Sequence, residues 1–185
     1  AGPVDPEVPV VAVQALDGRP IAMWANYSLH YVGGVPPESL SADYFGEFAR
    51  QFAKMILATQ SKPPFVAAMT NGTSGDINNV NFFEGRSRQP PFEQIRLVAN
   101  DVAASAAVAY QRVQFENWVP LEMRETEIEL GVRRPDTEEV ARAKQLLADA
   151  GDSPKNDRRL IYAGETLDLA EYPPTVKVKL QAIRI

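Results

Sequence analysis

The sequence predicts an α/β fold with a mixed sheet flanked by helices. Three observations carry that expectation. Valine-rich segments bracket a tight-turn signal near the start, a short apolar run of internal-strand type occurs at 65–69, and two longer stretches with helical spacing follow the first two of these strands. At 185 residues with 45% hydrophobic content, the chain is long enough to bury a substantial core, either as a single domain or as part of a larger one.

The first strand pair comes from Pro9 to Leu16 and Ile21 to Leu29, joined at Asp17-Gly18 as a hairpin. Along the second strand, a period of two sets Asn26, Ser28 and His30 on one face, against Ala25, Tyr27 and Leu29 on the other. Met23, Trp24 and Ala25 precede this polar row and suggest a strand buried on both sides. Buried polar groups require partners or a task.

Gly33 and Gly34 allow a left-handed backbone after the strand, and Pro36-Pro37 keeps the next residues extended. A helix then runs to about Thr59, capped by Ser39 or Ser41, with Tyr44, Phe45, Phe48, Phe52, Met55 and Ile56 as a core-facing stripe. Asp43 in its first turn suits the helix dipole. Phe65 to Met69 is the internal strand, and a polar loop from Thr70 to Asn81 follows it. Loops at strand C-termini of open α/β sheets commonly bind ligands, and this one offers backbone N–H groups, hydroxyls, amides and a carboxylate.

Arg86 and Arg88 fall in a polar stretch before a long alanine-rich helix spanning Phe92 to Val113, which is suited to close packing on a sheet. Leu121 to Leu130 is a charged strand at an edge. Asp136-Thr137-Glu138-Glu139 forms an approximate capping box opening a helix that Gly151 closes. Arg158 to Ala170 is a further helix interrupted by Gly164, and Thr175 to Ile185 is a final strand.

Composition narrows the functional classes. Nineteen basic and 24 acidic residues give a formal charge of -5, and no basic stretch interleaved with aromatics points to nucleic acid. No apolar run reaches the roughly 20 residues that span a bilayer, and the first residues lack the pattern of a signal peptide. With no cysteine, disulfides and thiolate chemistry are excluded. The single histidine, His30, is thus the first residue to suspect for metal or acid-base chemistry, although on one residue alone a hydrogen-bonded histidine at a strand end is the simpler explanation.

Several strings, taken in order, resemble the neutral/alkaline non-lysosomal ceramidase family, and within it a bacterial ceramidase-like branch. They are Val4-Asp5-Pro6-Glu7-Val8, Asp17-Gly18-Arg19-Pro20-Ile21, Asn26 to Gly34, Ser41-Ala42-Asp43-Tyr44-Phe45-Gly46 and Asn71-Gly72-Thr73-Ser74-Gly75-Asp76-Ile77-Asn78-Asn79. The second half matches more loosely, ending at Val178 to Ile185. The resemblance implies that residues 1–185 are a central part of a zinc amidase domain that cleaves an N-acyl bond in a small-molecule or lipid-like substrate, in an extracytoplasmic or secreted setting.

It implies further that His30 is one zinc ligand, oriented by Asn26, Ser28 or Asp43. The other ligands would come from a histidine-containing segment before this chain and from a glutamate and a tyrosine after it. Zinc is expected in the parent protein and weakly or not at all in this chain alone, which should then be inactive. Asp76 and Asn78 are the candidate catalytic groups, and Asn71, Gly72, Thr73, Ser74 and Gly75 the candidate substrate-binding ones. The sequence departs from the family in this loop: the loop of the family reads Gly-Asp-Val-Ser-Pro-Asn, whereas Gly75-Asp76-Ile77 is followed here by Asn78-Asn79, so that Asn78 stands at the place of the serine. An amide is no nucleophile, though it can orient water or donate to an oxyanion. A binding or cell-surface module that kept the scaffold without the chemistry is the alternative.

Overall fold

The computed structural model describes residues 4–75, 77–80, 83, 89–151 and 157–185. The chain forms two compact units, Ala1–Asn117 and Trp118–Ile185.

The first unit has the order β1 (Val10–Gln14), β2 (Pro20–Tyr27), α1 (Asp43–Met55), β3 (Val66–Asn71) and α2 (Glu93–Tyr110). The expected hairpin is present: β1 pairs antiparallel with β2, Val11 opposite Trp24, around a turn in which Gly18 takes a φ of 87°. Helix α1 is the crossover that brings β3 parallel to β2, with Asn26 opposite Thr70 and Tyr27 opposite Asn71. The sheet is therefore mixed, with β2 in the centre.

The core lies between one face of this sheet and the two helices. Met23 and Ala25 of β2 meet Tyr44, Phe48 and Phe52 of α1 and Ile95, Ala99, Val102, Ala103 and Ala106 of α2. Of the stripe read from the sequence, Tyr44, Phe48 and Phe52 are core and Phe45 and Ile56 pack against it, whereas Met55 is 42% exposed at the end of the helix; each buried phenylalanine contributes about 1.5–3 kcal/mol by leaving water. Phe52 sits at the middle of the cluster, edge-on to Tyr110 and stacked on Phe65. The alanines of α2 leave little between the helix backbone and its neighbours, so it packs closely on α1.

The other face of the sheet corrects the expectation that β2 is buried on both sides. Val11, Val13, Trp24 and Val66 stand at 40%, 49%, 42% and 59% exposure. Strand periodicity marks apolar residues but cannot say whether an element covers them, and among the described residues none covers these.

The second unit has β4 (Glu122–Gly131), α3 (Thr137–Asp149), α4 (Arg158–Glu171) and β5 (Thr175–Arg184). Strands β4 and β5 form an antiparallel ribbon whose charged face carries Lys177–Glu127 and Lys179–Glu125 pairs, each at 3.0 Å. The capping box of α3 is complete: Asp136 accepts from the Glu139 N–H at 2.7 Å, and Glu139 accepts from the Asp136 N–H at 2.9 Å. Gly151 follows α3 with a left-handed φ of 51°. Gly164 does not interrupt α4 as expected, because a helix interior tolerates one glycine at a cost of about 1 kcal/mol.

Candidate functional site

The sequence candidates gather where the C-terminal ends of β2 and β3 lie side by side, a consequence of the parallel pairing. Past the last sheet pair, Tyr27 with Asn71, the two segments stay joined: the Gly72 N–H donates to the Tyr27 carbonyl at 3.0 Å, and the His30 N–H donates to the Ile77 carbonyl at 3.1 Å. Strand β2 itself ends at Tyr27, so Ser28 and His30 lie just beyond it.

Asn26 and Ser28 do share a side, as the period of two requires. A Cβ built on Gly72 would lie 2.4 Å from the Ser28 Oγ and 2.9 Å from the Asn26 Oδ1. Only glycine permits this approach, so Gly72 is needed for its missing side chain and not for a special φ. The Asn26 amide donates to the Thr70 hydroxyl at 2.8 Å, and the Trp24 indole donates to the same oxygen at 2.9 Å. Two donors converging on one hydroxyl fill its acceptor capacity and lock the polar row. Thr70 was not singled out in the sequence; its register opposite Asn26 is what gives it this role.

The segment carrying His30 is held by the first two residues of α1. The Asp43 carboxylate accepts from the backbone N–H of Val32 at 2.9 Å and of Gly33 at 2.8 Å. The Tyr44 hydroxyl, in the core, donates to the Leu29 carbonyl at 2.9 Å. His30 and Tyr31 are thus bracketed by two fixed points, one before and one after. Asp43 itself takes a left-handed φ of 51°, its N–H donating to the Ser41 Oγ at 3.0 Å. Ser41 therefore serves the helix start, although Ala42 occupies the N-cap position. Gly33 and Gly34 adopt φ of 69° and 73°, as their sequence suggested, and the Gly34 carbonyl accepts from the Phe92 N–H at the start of α2.

Burial, followed by the charge of Asp43 and then Tyr27, pushes the Tyr44 hydroxyl well above the ordinary tyrosine range. Tyr44 stays a proton donor at any physiological pH. Its spacing in the aromatic stripe signals packing alone; the bond its hydroxyl makes depends on the fold.

His30 is partly exposed, its ring 4.3 Å from that of Tyr31. Thr70 and Asn71, expected in the loop, are the last residues of β3, and the Asn71 amide donates to the Ser74 Oγ at 2.7 Å, closing a small turn. Thr73 shows no hydrogen bond among the described residues, and a Cβ on Gly75 would meet nothing within 4 Å. Asp76, Arg86 and Arg88 lie outside the described residues. Asn78 lines an open cleft with Asn79, Tyr27, Leu29 and the α2 residues Gln94 and Asp101. No hydrogen bond joins Asn78 to His30 among the described residues. The structure thus brings Asn26, Ser28, Gly72 and the backbone of His30 together, ties Asp43 to the His30 segment, and sets Asn78 in a cleft against α2.

Among the described residues, no three His, Cys, Asp or Glu side chains are grouped so as to hold a metal ion. His30 is a single donor there, and the described residues do not by themselves fit a tetrahedral zinc site. No described helix is long and apolar enough to cross a membrane.

Neither a protein-family model nor a curated protein matches the chain. Among solved structures, it is similar to the neutral ceramidase from Pseudomonas aeruginosa, with a TM-score of 0.64 and 18% identity over 98% of this chain. The chain spans 33% of the length of that structure. At this identity the likeness shows a shared α/β fold.

Proposed function

We propose that the chain is part of a ceramidase-like hydrolase that cleaves the amide of an N-acyl, lipid-like substrate with the help of zinc. The observation that carries this reading is the placing of His30: the one imidazole of the chain sits at the C-terminal end of the central strand, and its backbone is hydrogen-bonded to the polar loop after β3. The likeness in fold to a neutral ceramidase supports it. So does the bracketing of the His30 segment by Asp43 and Tyr44, because a metal ligand is effective only when its orientation is fixed.

In this reading His30 is one zinc ligand, and further ligands come from outside the described residues. Zinc would supply polarisation of the amide carbonyl and a more acidic bound water. Asp43 and Tyr44 hold the backbone on either side of His30, at Val32, Gly33 and Leu29, with Asn26 and Ser28 as the polar row of the preceding residues. Asp76 and Asn78, with Asn71 to Gly75, are the loop groups proposed to meet the substrate. An extracytoplasmic setting goes with the same reading.

A second reading, a binding module on the same scaffold without catalysis, is favoured by one observation. Asn78 stands where the resembling family carries a serine, and it lines a cleft with α2 residues, with no hydrogen bond to His30 among the described residues.

Zinc analysis by inductively coupled plasma mass spectrometry, paired with hydrolysis of an N-acyl substrate, tests the first reading. These 185 residues should retain zinc weakly and show no turnover, whereas a longer protein containing them should bind zinc stoichiometrically and lose it on His30→Ala. Tight stoichiometric zinc in the 185 residues alone would refute the proposal of outside ligands. A zinc-loaded longer protein that hydrolyses no N-acyl substrate would establish the binding module instead.

A further inference from the structure

The second unit contains an open groove of about 550 Å³ between α3, α4 and the segment leading into α3. That is within the range of roughly 300–1,000 Å³ typical of small-molecule sites. Four guanidinium groups line it, those of Arg133, Arg134, Arg142 and Arg159. This is a local concentration of positive charge in a chain whose formal charge is -5.

The four are not equivalent. Arg134 is fixed by donating to the Ala170 carbonyl at 2.6 Å, and Arg159 is fixed by Asp157 at 2.8 Å. Arg142 approaches Glu138 only at 3.5 Å, with both side chains largely in solvent. Arg133 has no ion pair among the described residues. The carboxylate of Glu139 also lines the groove, but the capping box of α3 engages it. Arg133 and Arg142 thus have donor capacity that the described residues do not use.

The floor between them is apolar. Ala143 and Ala163 are buried, with the exposed apolar side chains of Leu146, at 37%, and Tyr162, at 63%, beside them. A guanidinium rim over an aliphatic and aromatic floor complements a ligand with one anionic group and one apolar body. An inorganic anion would leave the floor wet, and a neutral lipid would leave the guanidinium groups without acceptors.

We propose that this groove binds a single-chain amphiphilic anion, a carboxylate or phosphate ester held by Arg133 and Arg142 with its chain along Leu146 and Tyr162. The proposal stands on the second unit alone and is independent of the reading of His30.

The test is isothermal titration of the full chain with decanoate, decyl phosphate, decanol and inorganic phosphate, all below micelle-forming concentrations. Decanoate or decyl phosphate should saturate at one equivalent; if both bind, the site reads charge plus chain, and if one binds, it names the headgroup. The double variant Arg133→Gln/Arg142→Gln should weaken binding on the order of tenfold or more, as expected for loss of charge-assisted hydrogen bonds. Leu146→Glu should give a similar loss by placing a negative charge on the floor. Lys177→Gln/Lys179→Gln removes the same net charge from β5 and should leave the affinity unchanged. Circular dichroism confirms that each variant is folded. The proposal is overturned if neither amphiphile saturates, if decanol or inorganic phosphate binds as tightly as decyl phosphate, or if the β5 variant weakens binding as much as the arginine variant.

Discussion

The Asp43 carboxylate accepts from the backbone N–H of Gly33 at 2.8 Å, across ten residues of chain. With the second bond to Val32, it makes the first residue of α1 the anchor of the segment that carries His30. Asp43→Ala should cost about 1–3 kcal/mol, because two backbone donors lose a charged acceptor. It also places alanine at a φ of 51°, where it is strained. Asp43→Asn keeps one acceptor oxygen and tolerates the left-handed backbone, so it should cost clearly less. Urea denaturation of both variants distinguishes this from a simple helix-dipole role, in which Asn and Ala would be similar.

Tyr44 should make the fold sensitive to alkali. Its pKa is raised in the folded state, so its contribution is complete below the ordinary tyrosine value of about 10 and is lost as pH rises beyond it. Tyr44→Phe should remove this part of the alkaline loss while costing about 1–3 kcal/mol at neutral pH, since the Leu29 carbonyl is left without its donor. Thermal melts of the two proteins through neutral and alkaline pH would show the difference narrowing; a constant difference would rule out Tyr44 as the source.

At Gly72 the prediction is steric. Gly72→Ala drives a methyl to 2.4 Å from the Ser28 Oγ and should cost about 1–3 kcal/mol. Adding Ser28→Ala removes the nearest obstacle, leaving the Asn26 Oδ1 at 2.9 Å, so the double variant should recover part of the loss. Equal melting temperatures for Gly72→Ala and the wild type would show that the β2 and β3 ends can separate freely.

Acid should act through paired carboxylates. Hydrogen bonds from Gln51 and Arg50 hold Glu47 below the ordinary carboxylate range, those from Gln181 and Lys179 do the same for Glu125, and Arg159 does so for Asp157. A depressed folded pKa means that the stabilisation is present above the unfolded value, about 4.3 for glutamate, and is lost as pH falls through the folded one. Glu47→Gln should flatten the acid limb of the stability profile by about 1 kcal/mol, since the Arg50 side chain stands 67% exposed although that of Glu47 is only 13% exposed. A profile unchanged from wild type would assign the acid sensitivity elsewhere.

Much of this architecture was legible in the sequence because the signals are local. Asp17-Gly18 marks the hairpin, the aromatic spacing from Tyr44 to Phe52 marks the buried face of α1, and Asp136 with Glu139 marks the start of α3. The gathering of Asn26 and Ser28 followed from strand periodicity. The role of Tyr44 was hidden, since a hydroxyl in an aromatic stripe looks like packing until its acceptor is seen. So was the role of Thr70, which depends on a parallel register 44 residues away. The exposure of Trp24 was not legible either, because covering is a property of neighbours and not of the strand. The groove in the second unit is not legible for a related reason: Arg133, Arg142 and Arg159 are scattered in sequence and line one groove only when α3 and α4 pack.

The parallel pairing of β2 with β3 also has a kinetic consequence. Asn26 and Thr70 can meet only after the whole α1 crossover has closed, so the polar row beside His30 depends on contacts of long sequence separation. The Gly72 to Tyr27 bond lies past the last sheet pair and rests on everything before it. Its amide hydrogen should therefore exchange with solvent whenever the crossover opens, which makes the Gly72 N–H a single-residue reporter of how often the candidate site is intact.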